Sequence, residues 1–436
     1  MLRKTSLLLL IIGAILFSSA GYSADGARNR GSQKKSIVIH AGRLLAVPGQ
    51  PAETDKSIVI EGDRIIAVYD GFIVPETLDA NKQPKIIDLR NHFVLPGLMD
   101  AHIHIGWSSR DLPPKKPEDL TSEDLTLWTL RHARTALSAG FTTVRDLASS
   151  PYVMFAVRDW INGGKFLGPT ILAAGLPVTA HGGHGDTTKL GLDGSDIMAS
   201  GLCQGVESCR RAVRVQHKIG ADVIKLMSTG GFYDHTGTEK LFFYDEVEAT
   251  VETAHQLGMT VTTHAYADDA IADAVRAGVD SVEHGFGASD KTLKEMRKKG
   301  IYLVPTLSIA QREGSGTRKL REEHRAFERA LKIGTPIAFG TDVGGIPHRF
   351  AAREFSYMVA AGMEPAAAIR SATVETAKLF RIENEAGTIE TGKLADLIAV
   401  TGDPLEDIAA LEEIDFVMKA GRVAKQNGRL AVFFLD

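Results

Sequence analysis

The sequence predicts an α/β fold, built as a barrel with a small β-domain formed by both ends of the chain. From residue 96 to residue 386, short apolar runs alternate with helical stretches, which is typical of a parallel sheet. Eight such runs fall within about 290 residues, which fits a (β/α)8 barrel of TIM type. Short β-rich runs, separated by Gly and Pro, precede and follow this region, and they predict a small antiparallel sheet, closed as a β-sandwich.

Each predicted barrel strand is an apolar run that a helical stretch follows. The clearest helical stretch covers 246–257, with Asp245 as its expected N-cap, Glu248 three residues on and Gly258 as its stop. The eight predicted strands are 98–105, 142–147, 170–174, 223–227, 260–265, 281–283, 302–307 and 337–340.

The beginning of the chain predicts an exported protein, periplasmic or secreted. Arg3 and Lys4 precede an apolar run of 11 residues, and small residues follow it as a cleavage site. A transmembrane helix needs about 20 apolar residues, so the run favours a signal peptide over an uncleaved anchor, and no membrane contact is expected after cleavage. The predicted segments are a signal peptide at 1–20, a flexible leader at 21–35, the small β-domain at 36–95 and 387–436, and the barrel at 96–386.

Composition narrows the function classes. The chain has 436 residues and a formal net charge of −4, without a basic stripe, so a nucleic-acid partner is not expected. The sequence is compatible with a homo-oligomer. Cys203 and Cys209 are six residues apart and match no zinc motif. The sequence is compatible both with a disulfide between them and with two free thiols.

Ionisable residues suited to metal binding stand at the ends of five predicted strands. Residues two apart in a strand point to the same side, so His102 and His104 can bind one ion together. The carboxyl ends of barrel strands meet at one mouth, where catalytic residues lie. The complete set is His102, His104, Lys225, His264, His284 and Asp342.

Lys225 decides how this set is interpreted. A Lys inside an apolar strand is costly unless it is neutralised or paired. Burial lowers the pKa of a Lys and favours the reaction of its amine with CO2, and the resulting carbamate has two oxygens that can bridge two metals. Each residue alone has a structural interpretation, as a hydrogen-bonded core His or a paired Lys. The set at separate strand ends favours a metal centre.

This pattern resembles the amidohydrolase superfamily, in its binuclear-metal branch with a carboxylated lysine. Segment 94–102 (VLPGLMDAH) resembles the first barrel strand of that family, and segment 387–404 (GTIETGKLADLIAVTGDP) resembles its return into the small β-domain. The similarity covers 36–436.

The resemblance implies a ligand set and a mechanism. It implies two divalent ions, with Zn²⁺ as the default for these ligands, and a metal-bridging hydroxide that attacks an amide carbonyl. Asp342 would be the catalytic residue that passes the proton to the departing amine. By the same resemblance, His102, His104 and Asp342 would bind one metal, His264 and His284 would bind the other, and carboxylated Lys225 would bridge both.

Three further segments, 182–186, 264–267 and 282–285, are similar to the imidazolonepropionase-related, prolidase-like group. This implies a peptidase-like or dipeptidase-like enzyme that cleaves the amide C–N bond of a dipeptide or an N-acyl amino acid, or an ochratoxin-like amide. One alternative is a cyclic-amide hydrolase of imidazolonepropionase type, which the signal peptide disfavours. A second alternative, of a different class, is a non-catalytic scaffold on the same fold.

Candidates for substrate contact lie in loops after the predicted strands. His181 and His184 belong to a Gly-rich loop that can approach a ligand closely, although a turn with surface His residues is an equal alternative. Tyr233 follows the Lys225 strand and has a hydroxyl for a carboxylate, but it can equally be a packing residue. His348 follows the Asp342 strand and is the weakest candidate.

Overall fold

A computed structural model describes residues 36–74, 84–109, 111–116, 119–186, 200–231, 236–310 and 317–431, without the side chains of residues 310 and 317–324. The predicted signal peptide, the leader and Tyr233 lie outside these ranges. Within them, no helix has both the length and the apolar character needed to span a membrane.

The order of elements confirms the alternation predicted between residues 96 and 386. The strands are β1 (Ser36–Leu44), β2 (Glu53–Glu61), β3 (Arg64–Asp70), β4 (Lys85–Pro96), β5 (Leu98–Ile103), β6 (Phe141–Asp146), β7 (Thr170–Ala173), β8 (Val223–Met227), β9 (Thr260–Ala265), β10 (Ser281–His284), β11 (Tyr302–Val304), β12 (Leu397–Val400), β13 (Phe416–Lys419), β14 (Arg422–Gln426) and β15 (Arg429–Leu430). The α-helices are α1 (Ser122–Ser138), α2 (Pro151–Asn162), α3 (Val206–Ile219), α4 (Tyr244–Gln256), α5 (Asp268–Ala277), α6 (Asp290–Lys299), α7 (Leu307–Ala310), α8 (Thr317–Ile333), α9 (Arg353–Ala360), α10 (Pro365–Arg370) and α11 (Thr376–Leu379).

Both ends of the described chain join one eight-stranded sheet, ordered β15-β14-β13-β12-β4-β1-β2-β3. β12 pairs antiparallel with the end of β4, which joins the strands before and after the barrel-like region in one sheet. The expected antiparallel pairing is found for every pair of neighbouring strands in this sheet except β1 and β4, which are parallel. The β2–β3 hairpin lies between them in sequence and provides the long connection that a parallel pair requires. The division into domains and the β-sandwich remain predictions.

The central region is a TIM-barrel-like α/β arrangement. Strands β5–β7 form one parallel sheet and β8–β11 form another. Isolated parallel bridges link their edges: Val178 to Leu226, Leu303 to Ile337, and Ile103 to Val343. The eighth predicted strand, 337–340, therefore pairs only at such bridges and forms no ladder of its own. The closed eight-stranded barrel remains a prediction.

The helix predicted at 246–257 begins two residues earlier, as α4. Asp245 was the wrong choice of N-cap, because Phe243 occupies that position. The side chain of Glu246 supplies the acceptor: it accepts hydrogen bonds from the N–H of Phe243 at 2.8 Å and from the N–H of Gly205 at 2.6 Å. A carboxylate in the first turn can satisfy free N–H groups as well as an N-cap side chain can. Gly258 follows the helix with φ 77°, as the stop signal predicted.

The two cysteines form a disulfide, which resolves the alternative that the sequence left open. Both are fully buried. Cys209 lies in the first turn of α3, so the bridge holds the loop before that helix against the helix itself.

Candidate metal centre

Strand alternation brings the predicted ligands to one place. In β8, Ile224 and Leu226 pack in the large apolar core, and Lys225 lies between them. Side chains alternate between the two faces of a strand, so Lys225 points to the opposite face. His264 and His284 lie near the carboxyl ends of the neighbouring strands β9 and β10. His284 has φ 69°, a left-handed conformation that a non-glycine residue rarely adopts without a compensating role.

His102, His104 and Asp342 form the tightest group. Their possible ligand atoms all lie within 4.8 Å of one another. Asp342 Oδ1 lies 3.1 Å from Nε2 of His104 and 3.5 Å from Nε2 of His102. Asp342 also has a left-handed backbone, with φ 58°. Two imidazoles facing one carboxylate oxygen are a donor set that suits a borderline divalent cation.

Electrostatics keep the Asp342 carboxylate ionised. Burial acts to raise its pKa, but the neighbouring His102 and His104 more than offset that effect, and the pKa lies below its ordinary value. The pKa of His102 lies well below its usual range, first because of burial and then because of the positive charge of Lys225. The neutral imidazole of His102 and the ionised carboxylate of Asp342 are the forms of these side chains that bind metal.

His264 and His284 complete a continuous group of imidazoles. The ring centres of His102 and His284 are 5.1 Å apart, and those of His264 and His284 are 4.7 Å apart. His264 Nε2 lies 3.1 Å from the carbonyl oxygen of Gly230, and His284 Nδ1 lies 2.7 Å from Oγ1 of Thr306. A His that donates one ring N–H to such a partner presents the lone pair of its other nitrogen, as metal-binding His residues do.

Lys225 is the most unusual group in the site. It is 1% exposed, and its Nζ has no hydrogen-bond partner among the described residues. Burial lowers the pKa of Lys225 to about 8, although the carboxylates of Glu283 and Asp342 act to raise it. An unpartnered buried amine costs free energy, so it calls for a ligand or a modification as its partner. The residues present therefore fit a bound divalent metal.

Sequence reasoning missed a polar network beneath the imidazoles. Arg145 on β6 and Glu283 on β10 are both fully buried and lie 3.0 Å apart as an ion pair. Thr262 and Ser281 also donate hydrogen bonds to this carboxylate. The signal was present, since Arg145 is a charge inside a predicted barrel strand, as Lys225 is. The sequence did not show which residue would neutralise it.

The predicted substrate contacts separate into different positions. The His184 ring lies 4.6 Å from the His264 ring, so that part of the Gly-rich loop reaches the site. His181 is exposed and lines another cavity, together with Ser200 and Arg211. His348 is buried, its Nε2 lies 3.0 Å from the carbonyl oxygen of His104, and its ring stacks on His132. His348 therefore supports the His104 segment, and its role in substrate contact remains a prediction.

Comparison with known proteins decides the family. The model of the amidohydrolase family matches residues 93–424. The chain belongs to the amidohydrolase family. This range contains the whole proposed ligand set, and the amidohydrolase is accordingly a hydrolytic enzyme of the amide-cleaving class.

Its relatives include prolidase-like members of the superfamily. Ochratoxinase of Aspergillus niger is 31% identical over 435 residues, which covers 91% of this chain and 88% of the relative. The crystal structure of a Xaa-Pro dipeptidase with methionine bound in its active site is 39% identical, with a TM-score of 0.81, and covers 90% of this chain and 100% of that one. Imidazolonepropionase of Symbiobacterium thermophilum is 28% identical over 203 residues, or 44% of each chain.

Proposed function

We propose that this amidohydrolase cleaves the amide C–N bond of a dipeptide or an N-acyl amino acid with the help of two divalent metal ions. The observation that carries the proposal is the buried, unpartnered amine of Lys225 beside four imidazoles and Asp342. A carbamate on Lys225 would turn that costly amine into a ligand. His102, His104 and Asp342 would bind one ion, His264 and His284 would bind the other, and Lys225 would bridge them. The donor set makes Zn²⁺ the first candidate.

When bound, such ions polarise a carbonyl and ease the deprotonation of water. The residues of the chain then have separate tasks. Asp342 accepts the proton that the attacking water loses, and it delivers this proton to the amine nitrogen as the C–N bond breaks. Its position between His102 and His104 keeps the carboxylate ionised and ready to accept. The proposal also gives His184, whose ring lies 4.6 Å from that of His264, the task of donating to a substrate carbonyl or carboxylate.

The choice of substrate rests on the extent of the similarities. The Xaa-Pro dipeptidase is 39% identical to this chain and covers 90% of it, whereas two imidazolonepropionases are 28% identical with 44% coverage and 21% identical with 82% coverage. A linear amide is therefore favoured over the ring amide of the imidazolonepropionases. Export to the periplasm or the medium is also part of the proposal, and an enzyme in that location would meet peptides and N-acyl amino acids.

The test is a screen of dipeptides, including Xaa-Pro peptides, and N-acyl amino acids, in which the released amino acid is measured. Chelator treatment should abolish turnover, and Zn²⁺, Co²⁺ or Mn²⁺ should restore it. Elemental analysis of the active protein should give two metal ions per chain. Cleavage restricted to cyclic amides would overturn the substrate proposal, and full activity after complete metal removal would overturn the metal proposal.

A further inference from the structure

The side of His102 that faces away from the metal centre contacts Glu283. His102 Nδ1 lies 2.8 Å from Oε2 of Glu283. The angles of this contact fall short of a hydrogen bond, yet neither atom has another hydrogen-bond partner among the described residues. Both side chains are almost completely buried, so water does not replace the missing partner, and the contact pairs two polar atoms that otherwise lack a hydrogen bond among the described residues. The opposite ring nitrogen, Nε2, faces Asp342.

The other oxygen of Glu283 is held from three directions. Oε1 accepts hydrogen bonds from Arg145 at 3.0 Å, from Ser281 at 2.8 Å and from Thr262. Arg145 is itself held, because its Nε–H donates to the carbonyl oxygen of Ala101 at 2.7 Å. Three donors, one of them a guanidinium, occupy this oxygen and leave the other oxygen directed at His102.

Register explains why these residues meet. Ser281 pairs with Thr262 across β10 and β9, and Thr262 pairs with Lys225 across β9 and β8. Ser281 and Glu283 are two apart in one strand, so they share a face. The network therefore shares rows with two of the proposed ligands: Thr262 and Ser281 lie in register with Lys225, and Glu283 lies in register with His264.

We propose that Glu283, held by Arg145, is a positioning residue that fixes the orientation and tautomer of His102. Because an ionised carboxylate only accepts hydrogen bonds, it requires the proton on Nδ1 and leaves the Nε2 lone pair for a metal. The inference deepens the proposed function and rests on it. It assigns control of metal affinity to two residues that are not ligands.

Glu283→Gln is the sharpest test, since its shape is nearly unchanged. The amide oxygen can still accept from Arg145, Ser281 and Thr262, but the amide NH2 then faces His102 Nδ1 and donates to it. The proton of His102 must move to Nε2, which can no longer bind metal. We expect Zn²⁺ affinity, measured by competition with a chromophoric chelator, to fall by about 10- to 100-fold.

Ser281→Ala is the matched control. It removes one donor to the same carboxylate and leaves the contact with His102 in place, so Zn²⁺ affinity should stay within about threefold of wild type, well short of the ~10-fold minimum expected for Glu283→Gln. Wild-type affinity in Glu283→Gln would overturn the proposal. An equal loss in both variants would also overturn it, because the effect would then come from general packing.

A measurement on the wild-type protein covers the case in which Glu283→Gln does not fold. Long-range ¹H–¹⁵N correlation spectra of the chelator-treated protein should show His102 protonated on Nδ1, with its signals identified by their loss in His102→Gln. Protonation on Nε2 would overturn the proposal. This outcome is separable from failure of the proposed function, which is the absence of metal binding or amide turnover in the wild-type enzyme.

Discussion

The residues packed against the eight-stranded sheet and those at the centre of the barrel-like region are equally buried. The first group is apolar, whereas the second includes charged side chains. The sheet encloses aliphatic residues such as Ile39, Ile58 and Leu397. Strands β6, β8 and β10 of the barrel-like region carry Arg145, Lys225 and Glu283, each at most 1% exposed. The same alternation of side chains produces both groups. Burial of the apolar residues at the sheet stabilises the fold, whereas burial of charges in the barrel-like region costs free energy but positions reactive groups.

The largest expected effect belongs to Asp342. Asp342→Asn keeps the shape of the side chain but cannot accept a proton, so kcat should fall by about 10²- to 10⁴-fold. Metal content, measured by elemental analysis, should stay close to that of the wild-type protein. A wild-type rate in this variant would contradict the assignment of the proton transfer.

The converse effect is expected in the sheet. Ile58→Ala opens a cavity in an aliphatic core and should lower the free energy of unfolding by about 2–5 kcal/mol. Because no predicted ligand lies on β2, kcat at a temperature where the variant is folded should be unchanged. Denaturant titration and steady-state kinetics measure the two quantities separately. A large loss of kcat in the folded variant would break the contrast between the two groups of buried residues.

Lys225→Met tests the cost of the buried amine directly. The substitution removes a group without a hydrogen-bond partner, so the metal-free protein should gain about 1–3 kcal/mol in unfolding free energy. The same substitution should remove the bridge and reduce bound metal to at most one ion per chain. A loss of stability like that expected for Ile58→Ala would show that Lys225 is a structural residue.

A more gradual effect, spread over several pH units, is a pH dependence of stability outside the proposed centre. Glu354 is fully buried and accepts hydrogen bonds from Leu307 and Ser308, and burial raises its pKa to about 8. Its folded pKa exceeds the unfolded value of about 4.3, so its contribution to stability is complete below that value and is lost as the pH rises toward 8. The slope should reach up to ~1.4 kcal/mol per pH unit.

Glu354→Gln resembles the protonated form and should flatten that slope over the same pH range. Denaturant midpoints between pH 5 and 8 compare the two proteins, and the difference between them isolates Glu354 from other titrating groups. Identical slopes would contradict the assignment.

Sequence reasoning succeeded where a signal is local and periodic. The single charge within the apolar run at Lys225 and the His-x-His pair both mark residues that the structure brings together. It failed where a choice depends on a partner distant in sequence. Arg145 pairs with Glu283 across 138 residues, and Glu246 accepts a hydrogen bond from Gly205 across 41 residues. No local pattern contains either pairing.

The sequence by itself determined the alternation of strands and helices, the identity of the candidate ligands and the amidohydrolase resemblance, because each depends only on residue types and spacing along the chain. Only the tertiary structure decided the parallel pairing of β1 with β4, the disulfide between Cys203 and Cys209, and the buried network behind His102. These features depend on which strands become neighbours and on which side chains the loops between them bring into contact. The sequence alone indicates that a charge within a buried strand needs a partner that neutralises it. Which residue becomes that partner depends on how the strands pack together.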